Sequence, residues 1–399
     1  MSTVTSHSFV TLDLEYSPSL EKAKGFQRAA KICYPSLSLF DVADIYHYIK
    51  TNYEALLAEA YESLDGFVYK GASANKLPRA IEVLRDGDVR VHFNKKRLGD
   101  YTFCPGTFKY KVRTAVSCNL EEMIVVGISK ADTLKLRADI EREYGVLKEL
   151  EGVRGVASAL SLNFIGGKKG CEKAFLEQPY YRLGALDEKN EEGLEYDYLE
   201  KDQLRITLDV LYGLKGCKAR EILHLDVKRD NIFVDITRDA NTGKEECSGY
   251  LGDFGLSCRS SNHERLQVAS GTPIYFSPEY AKSFERGSSP FLRSVSEDMW
   301  ALGCALFEMY YAKHPHWILR NESGDEKKAI RKQMRAIINL QQGEIVTITP
   351  EHMKKSPLQC LIQEMLMVSK EERLSDPEVA IAKYEEFILQ RIQDLEQAE

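Results

Sequence analysis

The hydrophobic period changes twice along this chain, and that limits the architectures open to it. From Leu39 to Tyr61 the apolar residues Leu39, Val42, Ile45, Tyr46, Ile49, Tyr53, Leu56, Leu57 and Ala60 recur at helical spacing, which lines them along one face of a helix. Residues 81–130 then alternate: Val89-Arg-Val-His-Phe93 and Phe108-Lys-Tyr-Lys-Val-Arg-Thr114 read as antiparallel strands, and Met123-Ile-Val-Val-Gly-Ile128 as a short buried strand. Asp132 or Thr133 can cap a helix running to about Leu150. Gly166-Gly-Lys-Lys-Gly170 looks like a hairpin turn, and beyond Gly184 the chain turns mostly helical, with polar loops around 222–290. The glycines and proline of Gly66–Pro78 mark a soft boundary. The expectation is an α+β chain: a helical extension over 1–80, a small antiparallel β lobe with one helix over 81–178, and a larger, mainly helical lobe over 179–399.

Composition narrows the function classes. The chain has 399 residues, 43% hydrophobic and 29% charged, with a net charge of −7. It therefore has no general electrostatic affinity for nucleic acid or an anionic membrane, and any phosphate chemistry must come from a local site. Nine cysteines, none at CxxC spacing, argue against a zinc cluster and fit free thiols in a reducing compartment. No apolar run reaches the roughly 18 residues a membrane span needs, and Met1–Ser8 lacks the layout of a secretory signal. The expected location is cytoplasmic, with export as a bacterial effector left open.

Two clusters carry the chemistry: His224-Leu-Asp-Val-Lys-Arg-Asp-Asn231 and Leu251-Gly-Asp-Phe-Gly255. Asn231 and Asp253 are hard oxygen donors suited to Mg²⁺ that also binds phosphates. Together the clusters resemble the catalytic loop and the metal motif of the eukaryotic-type Ser/Thr protein kinase family, a resemblance that covers about residues 85–385. It implies the two-lobed kinase fold, ATP and Mg²⁺ as cofactors, and protein substrates. Phosphoryl transfer needs positioned charge more than covalent help. In that scheme Asp226 accepts or orients the substrate hydroxyl proton, Lys228 offsets charge on the moving phosphoryl group, and Asn231 and Asp253 hold metal.

The remaining assignments follow from the same resemblance. Lys130, at the end of Ile124-Val-Val-Gly-Ile-Ser-Lys130, corresponds to the lysine that holds the α- and β-phosphates. Its glutamate partner is sought on the next helix, where Glu143 shares the inward stripe of Leu136, Ile140, Leu147 and Leu150, while Glu141 and Glu149 fall off it. Gly106 and Phe108 match the middle of the glycine-rich loop, although Lys109 replaces its third glycine; an ordinary hairpin turn is the other reading. Gln178–Leu186 looks like the interlobe hinge, with Tyr180 and Tyr181 either flanking adenine or packing as core aromatics. Gly271-Thr-Pro-Ile-Tyr-Phe-Ser-Pro-Glu279 resembles the substrate-binding end of the activation segment, and Thr272 with Lys228 points to serine and threonine substrates. Glu279 is expected to pair with Arg373. Asp298 is expected to cap the following helix and bind catalytic-loop amides.

One departure matters. Leu225 stands where the family usually has the arginine that receives an activation-loop phosphate. The expected enzyme is therefore of the non-RD type, active without phosphorylation of that segment, though Ser257, Ser260, Ser261 and Ser270 remain modifiable. The alternative is a pseudokinase, a nucleotide-binding or scaffolding module. The N-terminal helix is expected to pack in cis or to meet a partner.

Overall fold

The structure, a computed structural model, describes residues 39–62, 67–71, 80–84, 89–93, 111–117, 123–130, 133–166, 172–187, 197–238, 245–262, 266, 270–286, 292–319, 326–342 and 348–398. Gly106 and Phe108 lie outside them. The chain divides into two compact units, one comprising Met1–Tyr144 with Ala159–Tyr180, the other Gly145–Ser158 with Tyr181–Glu399.

The first unit holds a helix, α1 (Leu39–Glu62), and strands β1 (Phe67–Gly71), β2 (Ala80–Leu84), β3 (Val89–Phe93), β4 (Lys111–Ser117) and β5 (Met123–Lys130). Helix α2 (Leu134–Glu149) follows, assigned to this unit as far as Tyr144, and then β6 (Ser161–Gly166) and β7 (Glu172–Pro179). The seven strands form one sheet in the order β1-β2-β3-β4-β5-β7-β6, with every neighbouring pair antiparallel. The sheet begins at Phe67, upstream of the boundary expected near residue 80. Phe67-Val-Tyr-Lys-Gly71 is too short to show a period of its own, and its pairing with Ala80–Leu84 makes it a strand.

The stripe on α1 is buried as its spacing predicts. Val42, Ile45, Ile49, Tyr53 and Leu56 form one cluster with Ile81, Val83, Val89 and Val91. Those four come from alternate positions of β2 and β3, so they share a face, and the register sets Ile81 opposite Val91 and Val83 opposite Val89. Thr133 caps α2 by accepting the Leu136 amide at 3.2 Å.

The second unit contains β8 (Gly184–Ala185), α3 (Glu200–Ala219), β9 (Ile222–Leu223), β10 (Ile232–Arg238), β11 (Glu245–Leu251) and β12 (Cys258–Arg259). After them come α4 (Pro278–Arg286), α5 (Val295–Tyr311), α6 (Glu326–Ile338), α7 (Pro350–Lys355), α8 (Pro357–Met365) and α9 (Pro377–Ala398). Helix α5 is buried almost all round, from Ser296 through Leu306, as expected of a central core helix. Its cap is Ser294, whose hydroxyl forms a capping box with Glu297; Asp298, expected at that position, lies inside the helix and its carboxylate is engaged elsewhere. Ser294-x-x-Glu297 is the sequence signature that identifies the true cap. Helix α9 is tied to α3 by a two-bond Arg391–Glu200 pair at 2.9 Å and a Tyr212–Glu385 bond at 2.7 Å.

Candidate active site

Two short pairings bring the chemistry-bearing segments together. Strands β10 and β11 form a hairpin whose ends, Ile232 and Leu251, face each other. The residue before Ile232 is Asn231, and Asp253 lies two beyond Leu251. The Gly252 amide donates to the Asn231 carbonyl at 2.8 Å, which closes the end of the ladder. Strand β9 pairs with β12, setting Leu223 against Cys258. The loop that starts after Leu223 and the segment that follows Asp253 are thus joined at both ends.

The core holds the loop from below. Asp298 Oδ2 accepts the His224 amide at 2.8 Å and Oδ1 the Leu225 amide at 2.7 Å. Burial pushes Asp298 up to about 7 against the pull of those two amides. The His224 ring is fully buried and lies edge-on to Phe254, with centroids 4.7 Å apart. Its Nδ1 accepts the Asp226 amide at 3.3 Å, so Nε2 carries the proton and donates to the Gly252 carbonyl at 2.9 Å. Burial lowers the His224 pKa to about 4, in keeping with a neutral ring. His224 therefore acts as a rivet between the two motifs.

Asp226 is 4% exposed. Its Oδ1 accepts the Thr272 hydroxyl at 2.7 Å, and its Oδ2 faces Asn231 Nδ2 and Lys228 Nζ, each at 3.2 Å. A carboxylate offers about four lone-pair directions, so three placed donors leave one for an incoming hydroxyl. Lys228 also donates to Thr272 Oγ1 at 3.3 Å. Burial pulls Lys228 down, but the carboxylates of Asp226 and Asp230 outweigh it and its pKa is raised. Asn231 Nδ2 also donates to the Asp226 carbonyl at 2.8 Å, so both of its bonds to Asp226 are made through nitrogen.

Asp253 sits at φ 58°, a left-handed conformation unusual for a non-glycine residue, and its side chain accepts the Gly255 amide at 3.3 Å. Burial and the neighbouring Asp226 charge both push its pKa up. A carboxylate with this surrounding charge suits a divalent cation of hard-oxygen preference. The described residues contain no group of three or more His, Cys, Asp or Glu able to cage a metal. Mg²⁺ does not require one, because it keeps waters and takes phosphate oxygens.

Gly271 shows how tightly the segment Gly271–Glu279 lies on the loop. It has φ +102°, and a Cβ there would sit 2.7 Å from the Leu225 carbonyl oxygen. Glu279 and Arg373 pair through two bonds, at 2.6 and 3.1 Å, with the guanidinium 4.6 Å from the Trp300 ring centroid.

In the first unit, Lys130 ends β5 opposite Lys173 of β7. Glu143 is 7% exposed on the buried stripe of α2, while Glu141 pairs with Arg137 on the surface; Glu149, where the helix has passed into the second unit, pairs with Arg259. The two tyrosine rings near residue 180 are spent on packing. Tyr180 lies against the α1 cluster. Tyr181 stacks on Phe233 at 5.5 Å, and its hydroxyl accepts the Ser158 amide at 3.1 Å.

The comparison with known proteins agrees with this geometry. Residues 114–385, more than half of the chain, match the protein kinase domain. The chain belongs to the protein kinase family. It is 37% identical over 123 residues to the serine/threonine-protein kinase Nek1 of Toxoplasma gondii, a stretch covering 29% of this chain and 7% of that protein. It is 32% identical over 169 residues to the serine/threonine-protein kinase Nek5 of Mus musculus, covering 42% of this chain and 22% of that protein. It is 28% identical over 263 residues to the liver/testis phosphorylase b kinase gamma catalytic chain of Homo sapiens, covering 64% and 56%. The chain thus spans well under two thirds of the length of each. Helix α1 and strands β1–β3 of this kinase lie upstream of the matched residues. No helix among the described residues is long and apolar enough to cross a membrane.

Two features of the site escaped the sequence. One is Asp187, pushed up to about 7 by burial and by hydrogen bonding and charge from Asp230; a single aspartate in a loop carries no local signal. The other is Arg293, described below.

Proposed function

We propose that this kinase transfers the ATP γ-phosphoryl group to serine or threonine hydroxyls of protein substrates. One observation carries the reading: Asp226 is held by Thr272, Lys228 and Asn231 with one acceptor direction left over. Asp226 receives or orients the proton of the substrate hydroxyl, a contribution of about 10²–10⁴-fold. Lys228, anchored between Asp226 and Thr272, places its charge beside the transferring group. Asn231 and Asp253 are the residues that would hold Mg²⁺, which when bound neutralises charge on the nucleotide phosphates. Lys130 and Glu143 are assigned to the phosphate-holding pair, and Gly106 and Phe108 to the loop over the nucleotide. At Tyr180 and Tyr181 the backbone, not the rings, is the part left to contact adenine.

Thr272 favours serine and threonine because its hydroxyl occupies the space between Lys228 and Asp226. The two Nek relatives named above are serine/threonine kinases by name, which supports the same preference. Independence from activation-segment phosphorylation rests on Leu225. It is 6% exposed and packs with Leu223, Cys258 and Leu266, so the residue before Asp226 offers a phosphate an apolar side chain in place of a cation. Helix α1 is proposed to serve the kinase in cis, as a cover for β2 and β3.

The test is incubation with labelled ATP, Mg²⁺ and a generic protein substrate, beside Asp226→Ala and Asp253→Ala, with the modified residues mapped by mass spectrometry. Incorporation on serine and threonine that disappears in both variants is expected. Incorporation that survives both would overturn the assignment, and nucleotide binding without turnover in the parent would mark a pseudokinase. Phosphatase treatment of the parent should leave its activity unchanged.

A further inference from the structure

Arg293 precedes the cap of α5 and is 4% exposed. Its Nη1 donates to the Ser270 carbonyl at 3.0 Å and its Nη2 to Ser270 Oγ at 2.8 Å. The guanidinium lies 5.1 Å from the centroid of the Tyr280 ring. The Tyr280 hydroxyl accepts the Ser270 amide at 3.2 Å and donates to the Ser270 carbonyl at 3.3 Å. Ser270 is thus gripped at its amide, its carbonyl and its hydroxyl by two side chains.

The next two residues are the ones that meet the catalytic loop. Gly271 lies against the Leu225 carbonyl, and Thr272 donates to Asp226. Five residues beyond Arg293, Asp298 holds the Leu225 and His224 amides. The start of α5 therefore anchors both partners of the Thr272–Asp226 contact: Arg293 the segment, Asp298 the loop. Leu225 puts no charge at the position before Asp226; the buried Arg293 reaches the segment at Ser270, where it binds an unmodified serine, and Lys228 reaches it at Thr272.

We propose that Arg293 is a positioning residue that clamps Ser270 in its unmodified form and so sets Thr272 against Asp226, giving a segment ordered without phosphate. Its catalytic consequence rests on the kinase reading above; the clamp itself does not. A guanidinium fork suits the role because it donates in two parallel directions to a carbonyl and a hydroxyl on one residue. A lysine cannot.

The full chain should be compared with Arg293→Gln, Ser270→Ala, Ser270→Thr and Tyr280→Phe. Two readouts are taken: hydrogen exchange of a peptide covering residues 270–280, and peptide phosphorylation kinetics. In Arg293→Gln the peptide should exchange at least about tenfold faster while α3 and α9 keep parental protection. The kcat/KM for peptide should fall about 30-fold, with KM for ATP within about twofold of the parent, since Ser270, which Arg293 holds, is not among the residues assigned to the nucleotide. Ser270→Ala, which keeps the carbonyl bond, should lose about fivefold, and Ser270→Thr, which restores the hydroxyl, should recover most of it. Should Arg293→Gln fail to fold, Ser270→Ala and Tyr280→Phe carry the test, each raising exchange at 270–280 without lowering the melting point by more than a few degrees. Parental exchange and parental kcat/KM in Arg293→Gln, or in both milder variants, would overturn the proposal. A parent without phosphotransfer whose segment is nonetheless protected, and opens in Arg293→Gln, would sink the kinase reading and leave the clamp standing.

Discussion

Replacing Gly271 by alanine tests the contact between the substrate-side segment and the catalytic loop. The added Cβ would sit 2.7 Å from the Leu225 carbonyl oxygen, where ordinary contact begins at 3.4 Å. Something must move by ~0.7 Å, and the oxygen is a backbone atom while the Cβ is fixed rigidly to one. Alanine at φ +102° is also strained, at about 1–3 kcal/mol, and the overpacking adds about 1–3 kcal/mol. Letting the segment rise relieves both but breaks the Thr272–Asp226 bond, itself worth about 1.5–3 kcal/mol as a hydrogen bond to a charged group. These costs are comparable, so the segment lifts and the molecule stays folded, since domains carry about 5–15 kcal/mol of stability. A displacement near 1 Å at a reacting group costs about 10²-fold in rate. The expected result is a kcat lower by about 10²-fold, with a melting point only a few degrees below the parent. Steady-state peptide phosphorylation and calorimetry would measure the two. A parental kcat in a folded Gly271→Ala protein would refute the close approach and, with it, the geometry assigned to Thr272.

Further outcomes follow from the same structure. Thr272→Val should lower kcat/KM for peptide by about 10–100-fold, because Asp226 loses a donor and Lys228 an acceptor, whereas Thr272→Ser should retain most activity; equal activity of the two would remove the hydroxyl from the mechanism. Arg373 holds Glu279 below its usual value of 4.5, overcoming burial, which pulls the other way. That stabilisation is fully present above about pH 4.5 and is lost as the pH falls through the lower folded-state value, because the folded chain must then take up a proton at the cost of the pair. Glu279→Gln should therefore cost about 3 kcal/mol at pH 7 by leaving Arg373 buried beside a neutral partner, and the gap to the parent should narrow below pH 4.5; a gap that stays constant in melts at pH 7 and pH 4 would count against it. Ile49, fully buried between α1 and the sheet, should cost about 2–5 kcal/mol on substitution by alanine, and an unchanged denaturation midpoint would show that α1 does not pack there.

The family and the motif residues were readable because they lie close together along the chain. His224, Asp226, Lys228 and Asn231 fall within eight residues, and Asp253 follows after one hairpin. The stripes of α1 and α2, including the inward Glu143, follow from helical periodicity alone. Strand β1 was not readable, since five residues without strong alternation become a strand only through their partner β2. Periodicity does not separate Ser294 from Asp298 as the cap of α5, because both are capping types; the Ser294-x-x-Glu297 spacing does, and only the tertiary fold shows Asp298 taken by the His224 and Leu225 amides.

What the amino-acid order determined by itself is the family and the main elements, because motif spacing and hydrophobic period are local properties. The tertiary structure decided which of those groups meet. Thr272 reaches Asp226 across 46 positions of chain, Arg293 reaches Ser270 across 23, and Tyr181 gives its ring to Phe233 and Tyr250. Such contacts depend on where a buried helix and a two-ended loop come to rest against each other, and close packing, not spacing along the chain, sets that.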